Sequence, residues 1–423
     1  MLLAGHLLLT DAPRNEARPG HTRLATGTVR LDGEQIAEVI ECPPEAFPKT
    51  IDAGGADTLI CPGFIDTHLH LPQFDIVGAH GRPLLDWLDE FTFPAERKWE
   101  DADYARGMTR RVVDQLLAHG TTGICAYSTV HYDATRAALE TARDAGMRGV
   151  IGQSIIERNA PEDFVRPATR LLDESQQLLQ DFPPAGRLAA AVTPRFAVTC
   201  SAELMADLGK LADERSAVIQ SHLAETEAEC RLVAELFDGK PYVDVYKNAG
   251  LLTPRSIYGH GIYLDAASQG TLAESSAIIA HCPTANSFLR SGTMDRRSHR
   301  DASVRLTLGS DIGAGYERSM VRVGRAMIEA AASLTSDEAN RLPTAAEAWW
   351  QITTGNAEAL GWSDAGELRP GVSADLVVVQ PDIPWQISGL DHGVDPLARL
   401  MWAWDDRWVE RTIVRGRSVF PKR

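Results

Sequence analysis

The sequence predicts an α/β fold: a parallel-stranded barrel of the (β/α)8 type with a small β domain assembled from both ends of the chain. Three observations predict it. Short apolar runs alternate with helix-length segments through the middle of the chain, the pattern of a parallel sheet. The two ends read instead as strands and hairpins. Reactive side chains fall at the ends of the short runs, where a barrel collects its chemistry.

The opening stretch Met1-Leu-Leu-Ala-Gly-His6 lacks a basic leader, is interrupted by His6 and ends at Asp11, so it reads as a strand and not as an export signal. Residues 24–40 hold two β-type segments around Asp32-Gly33, a pair suited to a tight hairpin turn. Runs starting at Gly123, Gly149, Ala189, Ala217 and Ala277 then alternate with helical segments. In one of these, Ala202 to Arg215, Leu204, Leu208 and Leu211 recur at intervals of four and three, the spacing of a helix with one buried face. Near the end, Ala374-Asp-Leu-Val-Val-Val-Gln follows Pro370-Gly371, and residues 411–420 form a second hairpin that turns near Gly416. The change of pattern divides the chain into a composite β domain, 1–61 with 367–423, and a barrel, 62–366.

Composition excludes several functions. The 58 acidic side chains outnumber 42 basic ones, and no Lys/Arg run offers a stripe for a phosphate backbone, so polymeric nucleic acid is excluded as a partner. No apolar stretch approaches the roughly 18 to 20 residues of a membrane-spanning helix. The six cysteines include no Cys-x-x-Cys pair, which argues against a disulfide framework or a thiolate cluster and for reduced thiols in a soluble, cytoplasmic protein.

His68-Leu-His70 closes the run that begins at Thr58, and side chains two apart on a strand share a face, so both imidazoles can address one metal ion. By itself the spacing is weak, since twelve histidines in 423 positions produce it by chance about once in three such sequences. Its context strengthens it. His222 follows Val218-Ile-Gln-Ser, His260 follows Ser256-Ile-Tyr-Gly, and Asp311 follows Leu306-Thr-Leu-Gly-Ser, each at a strand end. A barrel brings such positions to one rim, and a metal site is the reading that uses them all.

Longer motifs point further. Pro62-Gly-Phe-Ile-Asp-Thr-His68-Leu-His70-Leu-Pro-Gln73, Leu84-Leu-Asp-Trp-Leu-Asp-Glu-Phe-Thr-Phe-Pro-Ala-Glu96, Val192-Thr-Pro-Arg195-Phe196, Gln220-Ser-His222-Leu-Ala-Glu225, Ala280-His-Cys-Pro-Thr284 and Gly309-Ser-Asp311 occur in order. Together they resemble the amidohydrolase superfamily across nearly the whole chain, and within it the guanine deaminases. The likeness departs from the usual pattern at Thr284-Ala285-Asn286 and at Ile155-Ile-Glu157-Arg158-Asn159.

The resemblance implies a TIM-like amidohydrolase barrel with a small β-sandwich domain, hydrolysis of guanine to xanthine and ammonia, and a homodimer. It implies one divalent metal, zinc or else iron, held by His68, His70, His222 and Asp311, with His260 beside it. Two-metal relatives use a bridging lysine from a mid-barrel strand, and no lysine lies between Lys98 and Lys210, both read as surface residues of helices. Glu225 is implied as the proton shuttle and Asp311 as a second proton carrier. The plainer alternative for Glu225 is an exposed side chain of the acidic stretch 225–229, where Glu227 and Glu229 are assigned to a solvated helix start. Gln73 and Arg195 match substrate-holding residues, and Phe196 with Trp87 or Phe91 suits packing on a purine ring. The same hydrolysis on 8-oxoguanine or a pterin is the nearest rival reading; a barrel that has lost catalysis and serves as a scaffold is the more distant one.

Overall fold

The computed structural model describes residues 1–11, 20–334, 342–386 and 393–421. Among them, the N-terminal strands are β1 (Leu2–Asp11), β2 (His21–Asp32), β3 (Gln35–Glu41) and β4 (Ala53–Pro62). Eight follow through the middle: β5 (Phe64–His70), β6 (Thr121–Tyr127), β7 (Arg148–Ile155), β8 (Leu188–Pro194), β9 (Ile219–Leu223), β10 (Ser256–His260), β11 (Ile278–His281) and β12 (Arg305–Leu308). The last three are β13 (Leu376–Val379), β14 (Val409–Val414) and β15 (Arg417–Phe420).

Both ends of the chain share one sheet, ordered β15-β14-β13-β4-β1-β2-β3. Leu3, Leu7 and Leu9 take alternate positions of β1 and therefore point to one face, where they pack with Val29, Ile60, Leu376, Val378 and Ile413 in a buried core. The two hairpins turn where the sequence places them. Gly33 adopts φ 57° between β2 and β3, and Arg415 and Gly416 adopt φ 50° and 71° between β14 and β15, the positive angles that suit the twist of a hairpin.

The middle strands form a second, eight-stranded sheet in sequential order, β5 through β12, and each neighbouring pair from β7 to β12 is parallel. The two edges of this sheet are drawn together into a nearly closed, TIM-like barrel. Thr67 Oγ1 donates to the Leu308 carbonyl at 2.9 Å, the Asp311 amide to the His68 carbonyl at 2.8 Å, and the His70 amide to the Ile312 carbonyl at 3.1 Å. The closing seam thus runs through the residues that the sequence marks as reactive. Helix Ala202–Arg215 begins at Ser201, whose side chain accepts from the Leu204 amide, and it buries Leu204, Leu208 and Leu211 as its periodicity requires.

By contact density the chain groups into two compact units: residues 1–66, 114–123 and 318–423 form one, and residues 67–113 with 124–317 form the other. All six cysteines are free thiols. Among the described residues no helix is long and apolar enough to cross a membrane.

Candidate active site

β5 places His68 and His70 on the same face, and both rings are buried. β9 carries His222 and β10 ends at His260, while Asp311 follows β12 by three residues. Nε2 of His70 lies 3.0 Å from Nε2 of His222. Asp311 Oδ1 lies 3.5 Å from His68 Nε2 and 3.4 Å from His70 Nε2. One donor atom from each of His68, His70 and Asp311 falls within 4.8 Å of the others, and the same holds for His68, His222 and His260. His260 at φ 74° and Asp311 at φ 52° lie in the left-handed region, a conformation that costs about 1 to 3 kcal/mol for a non-glycine residue and is concentrated at functional sites.

The imidazoles are prepared as lone-pair donors. Burial first, then charge on neighbouring imidazoles and on Arg195, holds His68, His70 and His222 well below the ordinary histidine range, so all three are neutral at neutral pH. His222 Nδ1 lies 2.6 Å from the Arg195 carbonyl. A carbonyl only accepts, so Nδ1 carries the proton and Nε2 presents its lone pair to the cluster. This donor set, neutral nitrogens converging with one carboxylate, fits a divalent transition-metal ion.

Glu225 stands beside the cluster without being part of it. Its Oε1 accepts from Ser291 Oγ at 2.6 Å, and its Oε2 lies 3.4 Å from His260 Nε2. His260 Nδ1 is in turn 2.8 Å from Asn286 Oδ1, and its Nε2 is 4.0 Å from Asp311 Oδ2. The histidine therefore sits between two carboxylates, held from behind by an amide.

A cavity opens next to these groups. Leu84, Trp87, Leu88, Phe196, Leu289 and Ala314 supply its apolar lining, and Gln73, Arg195, His70, His222, Glu225, Glu229, His260 and Asp311 its polar one. Polar groups that converge beside an apolar lining are the usual make-up of a small-molecule site. Trp87 is anchored by its indole N–H to the Ala79 carbonyl at 2.9 Å, whereas Phe91 is not among the lining residues.

The amidohydrolase family profile matches residues 59–419. The chain belongs to the amidohydrolase family. It is 37% identical over 371 residues to the guanine deaminase of Escherichia coli strain K12, a match covering 86% of this chain and 83% of that relative. The solved structure of E. coli guanine deaminase superposes with a TM-score of 0.90 at 33% identity over 99% of each chain. A guanine deaminase from C. acetobutylicum with guanine bound in its active site superposes at 0.89, with 25% identity over 99% of each chain.

In this amidohydrolase one sequence expectation is corrected. Glu229 is not a solvated helix-start residue like Glu227: it is fully buried. Its Oε2 accepts from the amides of Glu225 and Thr226 at 2.8 and 3.3 Å, in a capping box with Thr226, and Tyr242 donates to its Oε1 at 2.7 Å. Burial first, then the charge of Glu225, pushes its carboxyl up to about 7. The Thr-x-x-Glu spacing from Thr226 to Glu229 was the available signal for a cap. Lys98 and Lys210 do lie at the surface, as the sequence implies.

Three neighbours of the site received no role from the sequence: Ser291, which was not singled out, and Asn286 and Glu96, which appeared only within quoted motifs. Glu96 is fully buried and accepts at one oxygen, Oε1, from Arg195 Nη1 at 3.0 Å and from Gln73 Nε2 at 3.2 Å. A signal existed, because an arginine buried beside a cavity calls for a counter-charge.

Gly309 shows how tightly the seam is packed. An added Cβ there would lie 2.6 Å from His68 Cβ and 2.9 Å from the His68 nitrogen. Gly309→Ala is therefore expected to displace β5 and to destabilise the fold by about 1 to 3 kcal/mol, read as a lower urea midpoint. An unchanged midpoint would show that β5 can move aside freely.

Proposed function

We propose that this amidohydrolase hydrolyses guanine to xanthine and ammonia, with one divalent ion held by His68, His70, His222 and Asp311. The observation that carries the reading is that one cavity is lined both by histidine and aspartate donors with Glu225 and by Gln73 with Arg195. The nearby relatives named guanine deaminase point to the same substrate.

When bound, the ion supplies a water nucleophile at neutral pH by lowering its pKa to about 7. Arg195, a donor only, receives the O6 carbonyl, and Gln73 meets the N1–H edge. Phe196 and Trp87 pack on the ring and exclude solvent. Glu225 takes up a proton from the water and delivers it to N3 as the oxygen adds to C2. Ser291 pins Oε1 of this carboxylate, which leaves Oε2 as the oxygen that exchanges the proton. Asp311 accepts the second proton and passes it to the departing amine, so that ammonia leaves and not an amide ion. His260, between Glu225 and Asp311, hydrogen-bonds the reacting oxygen.

The test is ammonia release from guanine, 8-oxoguanine and pterin by protein of known metal content, with xanthine identified as the guanine product. Guanine is expected to give the highest kcat/KM; no release from guanine would defeat the reading. Elemental analysis is expected to find about one equivalent of zinc or iron per chain, since no lysine between Lys98 and Lys210 is there to bridge a second ion. Two tightly bound ions per active chain would overturn the single-ion assignment.

A further inference from the structure

Gln73 and Arg195 both line the cavity, and both donate to one buried carboxylate outside its lining, that of Glu96. Gln73 has an amide that can turn either end toward a ligand, since rotation by half a turn exchanges its oxygen for its NH2 group. The neighbour that bears on this choice is Glu96. Its carboxylate is acceptor-only, is fully buried, and lies 3.2 Å from Gln73 Nε2, so the NH2 group must face it. Gln73 Oε1 is thereby the end left for the cavity; it is buried and has no hydrogen-bond partner among the described residues. The stem is held as well, for Gly313 approaches so closely that an added Cβ would lie 2.7 Å from Gln73 Cβ. The same Glu96 oxygen accepts from Arg195 Nη1 at 3.0 Å, which ties the second recognition group to the first.

We infer that Glu96 is a positioning residue that fixes Gln73 as an acceptor beside the donor Arg195, and so selects purines with a lactam edge, N–H next to C=O, over those whose N1 is an acceptor. The inference rests on the guanine reading above. Guanine presents N1–H to Gln73 Oε1 and its carbonyl to Arg195. 2-Aminopurine carries the same leaving amine at C2 but offers a bare N1 and no carbonyl, so it sets one acceptor against another and leaves a buried donor unpaired. Sites built to hydrogen-bond a group reject analogues that lack it by large factors.

The test compares kcat/KM for guanine and 2-aminopurine in the metal-loaded enzyme and in two variants. Glu96→Gln keeps an acceptor carbonyl, and Glu96→Met keeps a similar shape with no strong acceptor. Both lose the charge beside Arg195, so any difference between them isolates hydrogen-bond polarity. Glu96→Gln is expected to hold the guanine preference within about threefold of the unmodified protein, while Glu96→Met lowers it at least about tenfold, because Gln73 can then turn its NH2 group to the bare N1. An unchanged preference in Glu96→Met, or an equal loss in Glu96→Gln, would overturn the inference. Should Glu96→Met not fold, Gln73→Leu leaves the Glu96–Arg195 pair intact and is expected to lose the preference by the same factor; retention there would equally refute it. Failure of the unmodified, metal-loaded protein to deaminate guanine would instead count against the function proposed above.

Discussion

Glu225→Gln is expected to keep the fold, the metal and guanine binding while lowering kcat at least about a hundredfold, the usual contribution of a positioned acid/base group. The amide preserves the shape of the side chain and removes its capacity to take up a proton. Ser291 Oγ, 2.6 Å from Oε1, can still donate to an amide oxygen there, so the substitution perturbs little else. His222→Ala is the contrasting control. It deletes a nitrogen 3.0 Å from His70 Nε2 and is expected to lower metal content and turnover together. Steady-state kinetics with metal analysis on both variants decides the matter. Near-normal turnover in the fully metallated glutamine variant, or loss of metal from it, would end the division of labour between ligand and shuttle.

Arg195→Ala is expected to act on binding and on stability at once. Loss of a charged donor to the O6 carbonyl removes about 1.5 to 3 kcal/mol, which appears as a strong rise in KM for guanine. The structure adds a second consequence. With Glu96 fully buried and Arg195 Nη1 3.0 Å from it, removing the guanidinium strands a buried carboxylate, a change that typically costs about 3 to 5 kcal/mol of folding stability. Metal content is expected to survive, because it is the backbone carbonyl of Arg195, not its side chain, that holds His222 Nδ1. A denaturation curve and a metal assay alongside the kinetics separate these effects. Unchanged KM would remove Arg195 from the groups that hold the substrate, and unchanged stability would mean that Glu96 finds another partner.

The residues gathered at the candidate site were legible in the chain because strands impose a simple rule. His68 and His70 must share a face at a spacing of two, and His222, His260 and Asp311 each follow an apolar run that becomes a barrel strand. The hairpin at Gly33 and the helix over Ala202–Arg215 were legible for the same kind of reason: turn chemistry and 3.6-residue spacing are local properties. Likewise, the absence of a lysine between Lys98 and Lys210, on which the proposal of a single ion rests, is read without any coordinates.

What the tertiary structure alone decided is which polar side chains meet away from solvent. Glu227 and Glu229 are two residues apart in one acidic stretch, yet one is exposed and the other is buried against Tyr242 and the Glu225 amide. Glu96 and Arg195 are separated by 99 positions, and Ser291 lies 66 residues from the carboxylate it holds. Spacing along a strand or helix follows from backbone geometry, which the sequence encodes within a few residues. The sharing of one buried carboxylate by Gln73 and Arg195 depends instead on how distant segments converge, and its strength depends on a low-dielectric setting that exists only once the chain has closed around it.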